Sequence, residues 1–194
     1  MNALYPINLD LHDRPVLLVG GGPVALQKSR SLVDAGAHVH VVAPEVLPEL
    51  SALVGEVSFR AFDASRDLDA MTFVVTAAPP EVNSAVSAAA HARGLFVLAV
   101  DHQAVGSAQS PAVLRRAGLT IAISTDGVAP ALAGLLREAL EVLLPDDAEA
   151  GRWIALAQRA KAVWKRDAVP HAGRRPLLVE ALSALYAAKN TGQS

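Results

Sequence analysis

The stretch Pro15-Val16-Leu17-Leu18-Val19-Gly20-Gly21-Gly22-Pro23-Val24-Ala25 constrains this chain more than any other. A short continuous apolar run, as in a strand buried on both faces, leads straight into glycines and then into the helical pattern of residues 23–35. Gly36 stands where a C-terminal helix cap belongs. The turn satisfies G-x-G-x-x-A. Gly20 permits the sharp bend, Gly22 leaves room for a pyrophosphate beside the backbone, and Ala25 allows close helix–strand packing. The helix start offers free N–H groups and partial positive charge to phosphate. The motif in this context predicts dinucleotide binding; the competing reading is a merely tight turn.

The rest of the first hundred residues agrees with that beginning. His38 to Val42 reads as a second strand, stopped by Pro44, with further strands expected at 57–61, 72–76 and 95–100. An alanine-rich helix is expected at about 81–93, before Gly94. Alternating strands and helices predict an α/β fold, a Rossmann-like doubly wound parallel sheet with ligands at the strands' carboxyl ends. The expected nucleotide contacts are Gly20, Gly21, Gly22, Pro23, Val24, Ala43, Pro44, Glu45 and Thr76. No arginine stands at the second strand's tip to meet a 2′-phosphate, and Glu45 lies slightly late for a ribose acid, which favours NAD modestly over NADP.

After Asp101 the texture changes. Residues 102–110 read as a loop, Leu119 to Ile123 as a strand, and Pro130 to Leu144 as a helix with proline in its first turn. Pro145-Asp146-Asp147 punctuates the chain. Beyond it, Trp153, Leu156, Ala160 and Trp164 recur at helical spacing, as do Leu178, Ala181, Leu182 and Leu185, and Asn190 to Ser194 is expected to fray.

Composition excludes several classes. The chain has 194 residues, 52% of them hydrophobic and 19% charged, and a mean hydropathy of +0.33. That is too apolar for a disordered chain, and no apolar run approaches the roughly 18 residues of a membrane helix. Met1 to Asp10 has neither a basic start nor a signal-length apolar core, so a cytoplasmic location is expected. With no cysteine, disulfides, thiolate metal sites and cysteine nucleophiles are excluded. A net charge of −2 gives no reason to expect nucleic acid. The charge is unevenly spread: residues 1–145 carry 9 Lys/Arg against 14 Asp/Glu, and residues 146–194 carry 8 against 5. A solvated helix face explains the basic tail more readily than an anionic ligand does.

Tyr5-Pro6-Ile7-Asn8-Leu9 and Arg14 through Ala25 with Lys28 resemble the start of a siroheme-synthase N-terminal module. The similarity continues through Val100-Asp101, Pro111-Ala112, Ile123-Ser124-Thr125-Asp126-Gly127, Ala129-Pro130-Ala131-Leu132-Ala133 and Leu135-Leu136-Arg137. It covers roughly residues 5–145. The resemblance implies an NAD-dependent precorrin-2 dehydrogenase, often also a sirohydrochlorin ferrochelatase using Fe²⁺ as substrate. It implies three parts: a dinucleotide-binding domain (1–107), a dimerisation segment (108–146) and a small helical C-terminal domain (147–194). It further implies an intertwined homodimer that binds its tetrapyrrole near the nicotinamide. The rival readings are an NAD-sensing regulatory module and a non-catalytic tetrapyrrole carrier.

Asp101 follows an apolar strand at the rim of the expected crevice. Both reactions need a proton acceptor there, and the family assigns that role to the matching aspartate. Partial shielding in an apolar cleft would suit it to the task. His102 is a weaker candidate, since adjacent residues on an extended segment point to opposite sides. Ser124, Thr125 and Gly127, at a helix start, are the expected contacts for substrate carboxylates. Arg115, Arg116 and Arg137 could add charge. Asp126, where the family commonly has glycine, would repel a polycarboxylate if it faced the cleft. The histidines show no metal-ligand spacing, and no resident metal is expected.

Overall fold

The computed structural model describes residues 4–191; Met1 to Ala3, Gly192 to Ser194 and the side chains of residues 185–191, the expected helix position Leu185 among them, lie outside the described residues. The chain forms two compact units, residues 1–110 and 111–194.

The first unit is a five-stranded parallel sheet flanked by helices. Its strands are β1 (Pro15–Val19), β2 (His38–Ala43), β3 (Glu56–Phe59), β4 (Phe73–Thr76) and β5 (Val97–Ala99). Their spatial order is β3-β2-β1-β4-β5, so the sequence reverses direction between β1 and β4. That reversal opens a crevice at the strands' carboxyl ends. The crossovers carry α1 (Pro23–Asp34), α2 (Pro48–Leu53), α3 (Ala64–Asp67) and α4 (Pro80–His91). Because β1 lies between β2 and β4, both its faces must be covered. Val16 and Leu18 join one apolar cluster with Leu32 and Leu50. Leu17 and Val19 join another with Val86 and Ala90. This two-sided burial explains the unbroken apolar run in the sequence. Helix α1 ends on Gly36, whose φ of +78° is the left-handed cap geometry.

Strand β5 is short and lies at the sheet's edge. The chain folds back over it: the Val97 carbonyl accepts from the N–H groups of Ser107 and Ala108, both at 2.9 Å. The Val97 N–H in turn donates to Ser107 Oγ at 3.0 Å.

The second unit begins with an antiparallel ribbon of β6 (Ala112–Arg116) and β7 (Leu119–Ile123). Ala117 and Gly118, both at positive φ, make the two-residue turn that suits such a ribbon's twist. Helices α5 (Pro130–Leu143), α6 (Asp147–Arg166) and α7 (His171–Thr191) follow. Asp146 caps α6, its carboxylate accepting from the Glu149 N–H at 2.8 Å. Trp153, Leu156, Ala160 and Trp164 are half-buried along α6, which packs against α7. No helix among the described residues is long and apolar enough to cross a membrane.

Candidate nucleotide site

A cavity of about 450 Å³ lies at the carboxyl ends of the parallel strands. Its floor is the glycine turn after β1; the segment Val42–Glu45 forms one side and Ala77–Pro79 with Val82 another. Ala61 and Phe62, just beyond β3, complete the wall.

The three glycines have separate tasks. Gly20 has φ +132°, and a Cβ there would collide with the Ala77 carbonyl. At Gly21 a Cβ would collide with the Glu45 carbonyl. The Gly21 carbonyl also accepts from the Leu47 N–H at 2.9 Å, and Gly20 N–H donates to Val42 at 3.1 Å. These bonds hold the β1 and β2 loops together. Gly22 differs: a Cβ there would meet nothing within 4 Å. Its backbone therefore borders open space at the start of α1, where no side chain caps the helix. The first intrahelical bond is Leu26 N–H to Gly22, leaving the Val24 and Ala25 N–H groups without an acceptor in the helix. Backbone donors beside an open cradle fit a pyrophosphate.

Gly20, Gly21, Gly22, Ala43, Pro44 and Glu45 of the expected set line this cavity, and Glu45 is the one ionisable side chain that does. Pro23 and Val24 form the first turn of α1 instead. Thr76 lies beneath the wall: it is fully buried and its hydroxyl donates to Asn83 Oδ1 at 2.6 Å. Its successors Ala77 and Ala78 reach the cavity. Ala61, Phe62 and Val82 went unanticipated, since a loop after an edge strand and an alanine-rich helix carry no motif.

The Ala61–Phe62 wall is pinned from behind. Arg60 forms a two-pronged pair with the buried carboxylate of Asp67, one prong at 2.8 Å, and also donates to the Ala61 carbonyl at 3.1 Å. Asp67 accepts the Asp63 N–H at 2.8 Å. Burial works against its charge, but the Arg60 hydrogen bond, the Asp63 N–H and the charges of Arg60 and His40 prevail, holding its pKa below the usual carboxylate value.

Asp101 lies two residues past β5, exposed, at φ +57°. Aspartate is among the residues that tolerate this left-handed geometry. The segment is thus a turn rather than extended chain, and the expected alternation of Asp101 and His102 does not apply. His102 is partly buried, and its Nδ1 has no hydrogen-bond partner.

In the second unit, Ser124 Oγ accepts from the Asp126 N–H at 3.0 Å, and Thr125 Oγ1 accepts from the Ala129 N–H at 3.1 Å. Asp126 and Gly127 are both left-handed, at φ +51° and +78°. Both hydroxyls thus shape the turn before α5 through their oxygens and keep their own protons to donate. Arg116 and Arg137 both bond Glu141, and these hydrogen bonds hold its pKa down. No group of three or more His, Asp or Glu side chains among the described residues could hold a metal ion.

Sheet order, crevice and open glycine cradle define a dinucleotide-binding protein, and residues 7–112 match a family model described as NAD(P)-binding. Residues 116–143 match a second, described as the central part of a sirohaem biosynthesis protein. The chain belongs to the siroheme-synthase N-terminal family. Curated siroheme synthases from Ectopseudomonas mendocina and Xylella fastidiosa are 43% identical over 143 and 150 residues, covering 72% and 75% of this chain. The chain spans about a third of those relatives, 31% and 32% of their lengths. A solved structure titled SirC, precorrin-2 dehydrogenase, is similar at TM-score 0.67 and 27% identity, covering 91% of this chain and 88% of that one.

Proposed function

We propose that this chain oxidises precorrin-2 to sirohydrochlorin with NAD⁺ in siroheme biosynthesis. The observation that carries this reading is the open cradle at Gly22, set in a chain similar over nine-tenths of its length to a precorrin-2 dehydrogenase. Bound nucleotide supplies the hydride acceptor. The protein's own work is to hold it and to take a proton. Gly22 and the N–H groups of Val24 and Ala25 receive the pyrophosphate, and Glu45 accepts hydrogen bonds from the adenosine ribose.

Losing a hydride from precorrin-2 requires losing a proton too, and Asp101, two residues past β5 and outside the lining of the cavity, is the acceptor we assign. It is exposed in the single chain, so any shielding comes from outside it, from substrate or from a second copy. Ser124 and Thr125, still able to donate, and the Gly127 backbone would contact substrate carboxylates. If the chain also inserts Fe²⁺ into sirohydrochlorin, the two displaced pyrrole protons would leave one at a time, each taken up by the Asp101 carboxylate and released to water before the next. Asp101→Ala is then expected to abolish chelation more severely than dehydrogenation, and full activity in both assays would remove Asp101 from this account.

Glu45 at the β2 tip, with no cation on the cavity wall, favours NAD⁺ over NADP⁺, since a 2′-phosphate would meet a carboxylate. Comparing the two dissociation constants tests this, and tighter NADP⁺ binding would refute it. The unpartnered apolar face of α5 supports a homodimer. Leu132, Leu135, Leu136 and Leu143 fall along one side and are substantially exposed.

The deciding experiment is anaerobic incubation of the protein with precorrin-2 and NAD⁺, followed by absorbance. Sirohydrochlorin and NADH should appear together. Binding of both ligands without turnover would indicate a carrier.

A further inference from the structure

We propose that Asn83 is a positioning residue that ties the nucleotide wall to Asp101, so that cofactor and proton acceptor keep a fixed relation. This rests on the role given to Asp101 above. Asn83 sits on α4 directly after the cavity-lining Val82 and is buried, 3% exposed. Its Oδ1 accepts from the Ala78 N–H at 3.0 Å and from the Thr76 hydroxyl at 2.6 Å. Its Nδ2 donates to the Val100 carbonyl at 3.5 Å, the longest of the three bonds. Val100 also donates its own N–H to the Thr76 carbonyl at 2.9 Å. Val100, the residue before Asp101, is thereby held to β4 through its N–H and to Asn83 of α4 through its carbonyl.

The amide orientation is fixed by chemistry. A backbone N–H can only donate and a backbone carbonyl can only accept, so oxygen must face Ala78 and nitrogen must face Val100. Aspartate has the same shape and, when ionised, no donor. It would keep the Ala78 and Thr76 bonds while setting a carboxylate oxygen against the Val100 carbonyl. Alanine would lose every contact. The two substitutions therefore separate the cofactor wall from the acceptor: Asn83→Asp spares the first and disturbs the second, and Asn83→Ala disturbs both.

The test measures the NAD⁺ dissociation constant and kcat with precorrin-2 for the wild type and both variants. Asn83→Asp should leave nucleotide affinity within about twofold while kcat falls about tenfold, the size expected when a reacting group is misplaced by a fraction of an ångström. Asn83→Ala should lose on both measures. Wild-type kcat in Asn83→Asp, or identical losses in the two variants, would overturn the proposal by leaving Asn83 a merely structural residue. Should the aspartate variant not fold, Asn83→Ser replaces it. Its hydroxyl is too short to span Ala78 and Val100, and unchanged kcat would again overturn the proposal. Asp101→Asn separates the levels: full activity there defeats the assignment of Asp101 itself. An inactive Asp101→Asn beside a fully active Asn83→Asp defeats only the tether.

Discussion

The first unit buries a two-sided apolar core and leaves apolar side chains exposed mainly at its N-terminal segment and at Phe59 and Phe96, whereas the second has little buried core and leaves much of a helix face uncovered. Leu17, Leu18, Val74, Val75 and Val97 are fully buried in the parallel sheet. Among the described residues, the buried apolar side chains of the second unit are Leu114, Ala133 and Ala150. Meanwhile Leu135, Val142 and Leu143 stand 63%, 85% and 78% exposed. A sheet covered on both faces needs no further partner. A two-stranded ribbon with three helices has few surfaces to offer one another, and the apolar side chains of its first helix stay exposed.

The sharpest way to break this comparison is at the turn where the first unit's order serves a ligand. Gly22→Val should abolish measurable NAD⁺ binding, a loss of at least about a hundredfold, by filling the cradle that the pyrophosphate needs. The melting temperature should move little, because the added atoms meet nothing within 4 Å of the Cβ. Retained affinity would sever the turn from nucleotide binding.

Paired core and surface substitutions sharpen the contrast itself. Leu17→Ala should cost about 2–5 kcal/mol in chemical denaturation, the usual range for emptying a close-packed site. Leu135→Ala should leave the unfolding of the first unit unchanged and weaken self-association in sedimentation. Equal destabilisation by the two would mean that the second unit's surface is not waiting for a partner.

Asp67→Asn comes next, at about 2 kcal/mol, below the full cost of breaking a buried pair because Arg60 retains partial contact with water. The sign of its pH dependence is set by the lowered pKa. The native carboxyl titrates below its unfolded counterpart, so the stabilisation is complete above the unfolded pKa and is lost as pH falls through the native one. Wild type should therefore lose its advantage over Asp67→Asn in acid, and a constant difference would contradict the pairing. The smallest effect is expected for Arg137→Ala, on an exposed face of the second unit beside Glu141. Its melting temperature should stay within about 1–2 °C of wild type, since surface ion pairs contribute little.

What could be read from sequence follows the same division. β1 was legible because burial on both faces leaves an unbroken apolar run, and the turn after it because close approach admits only glycine. β6 escaped because Ala112-Val113-Leu114-Arg115-Arg116 lies in a half-covered ribbon and shows neither continuous nor alternating apolarity. The two-residue turn at Ala117-Gly118 was its one available signal. At the candidate site, Ala43, Pro44 and Glu45 followed from the end of β2. Phe62 did not, because its position depends on the Arg60–Asp67 pair rather than on a local pattern. Asn83 did not, because a helix of alanines and valines gives no hint that one amide within it joins two strand ends.

The fold-back over β5 carries a consequence for how copies of this protein can meet. With the Val97 carbonyl and N–H already engaged by Ser107 and Ala108, this short border of the sheet offers a neighbouring strand less open backbone to pair with. Growth of the sheet from molecule to molecule is opposed at Val97 by the chain's own residues. Open-ended polymerisation through the border is thereby discouraged without charged guards.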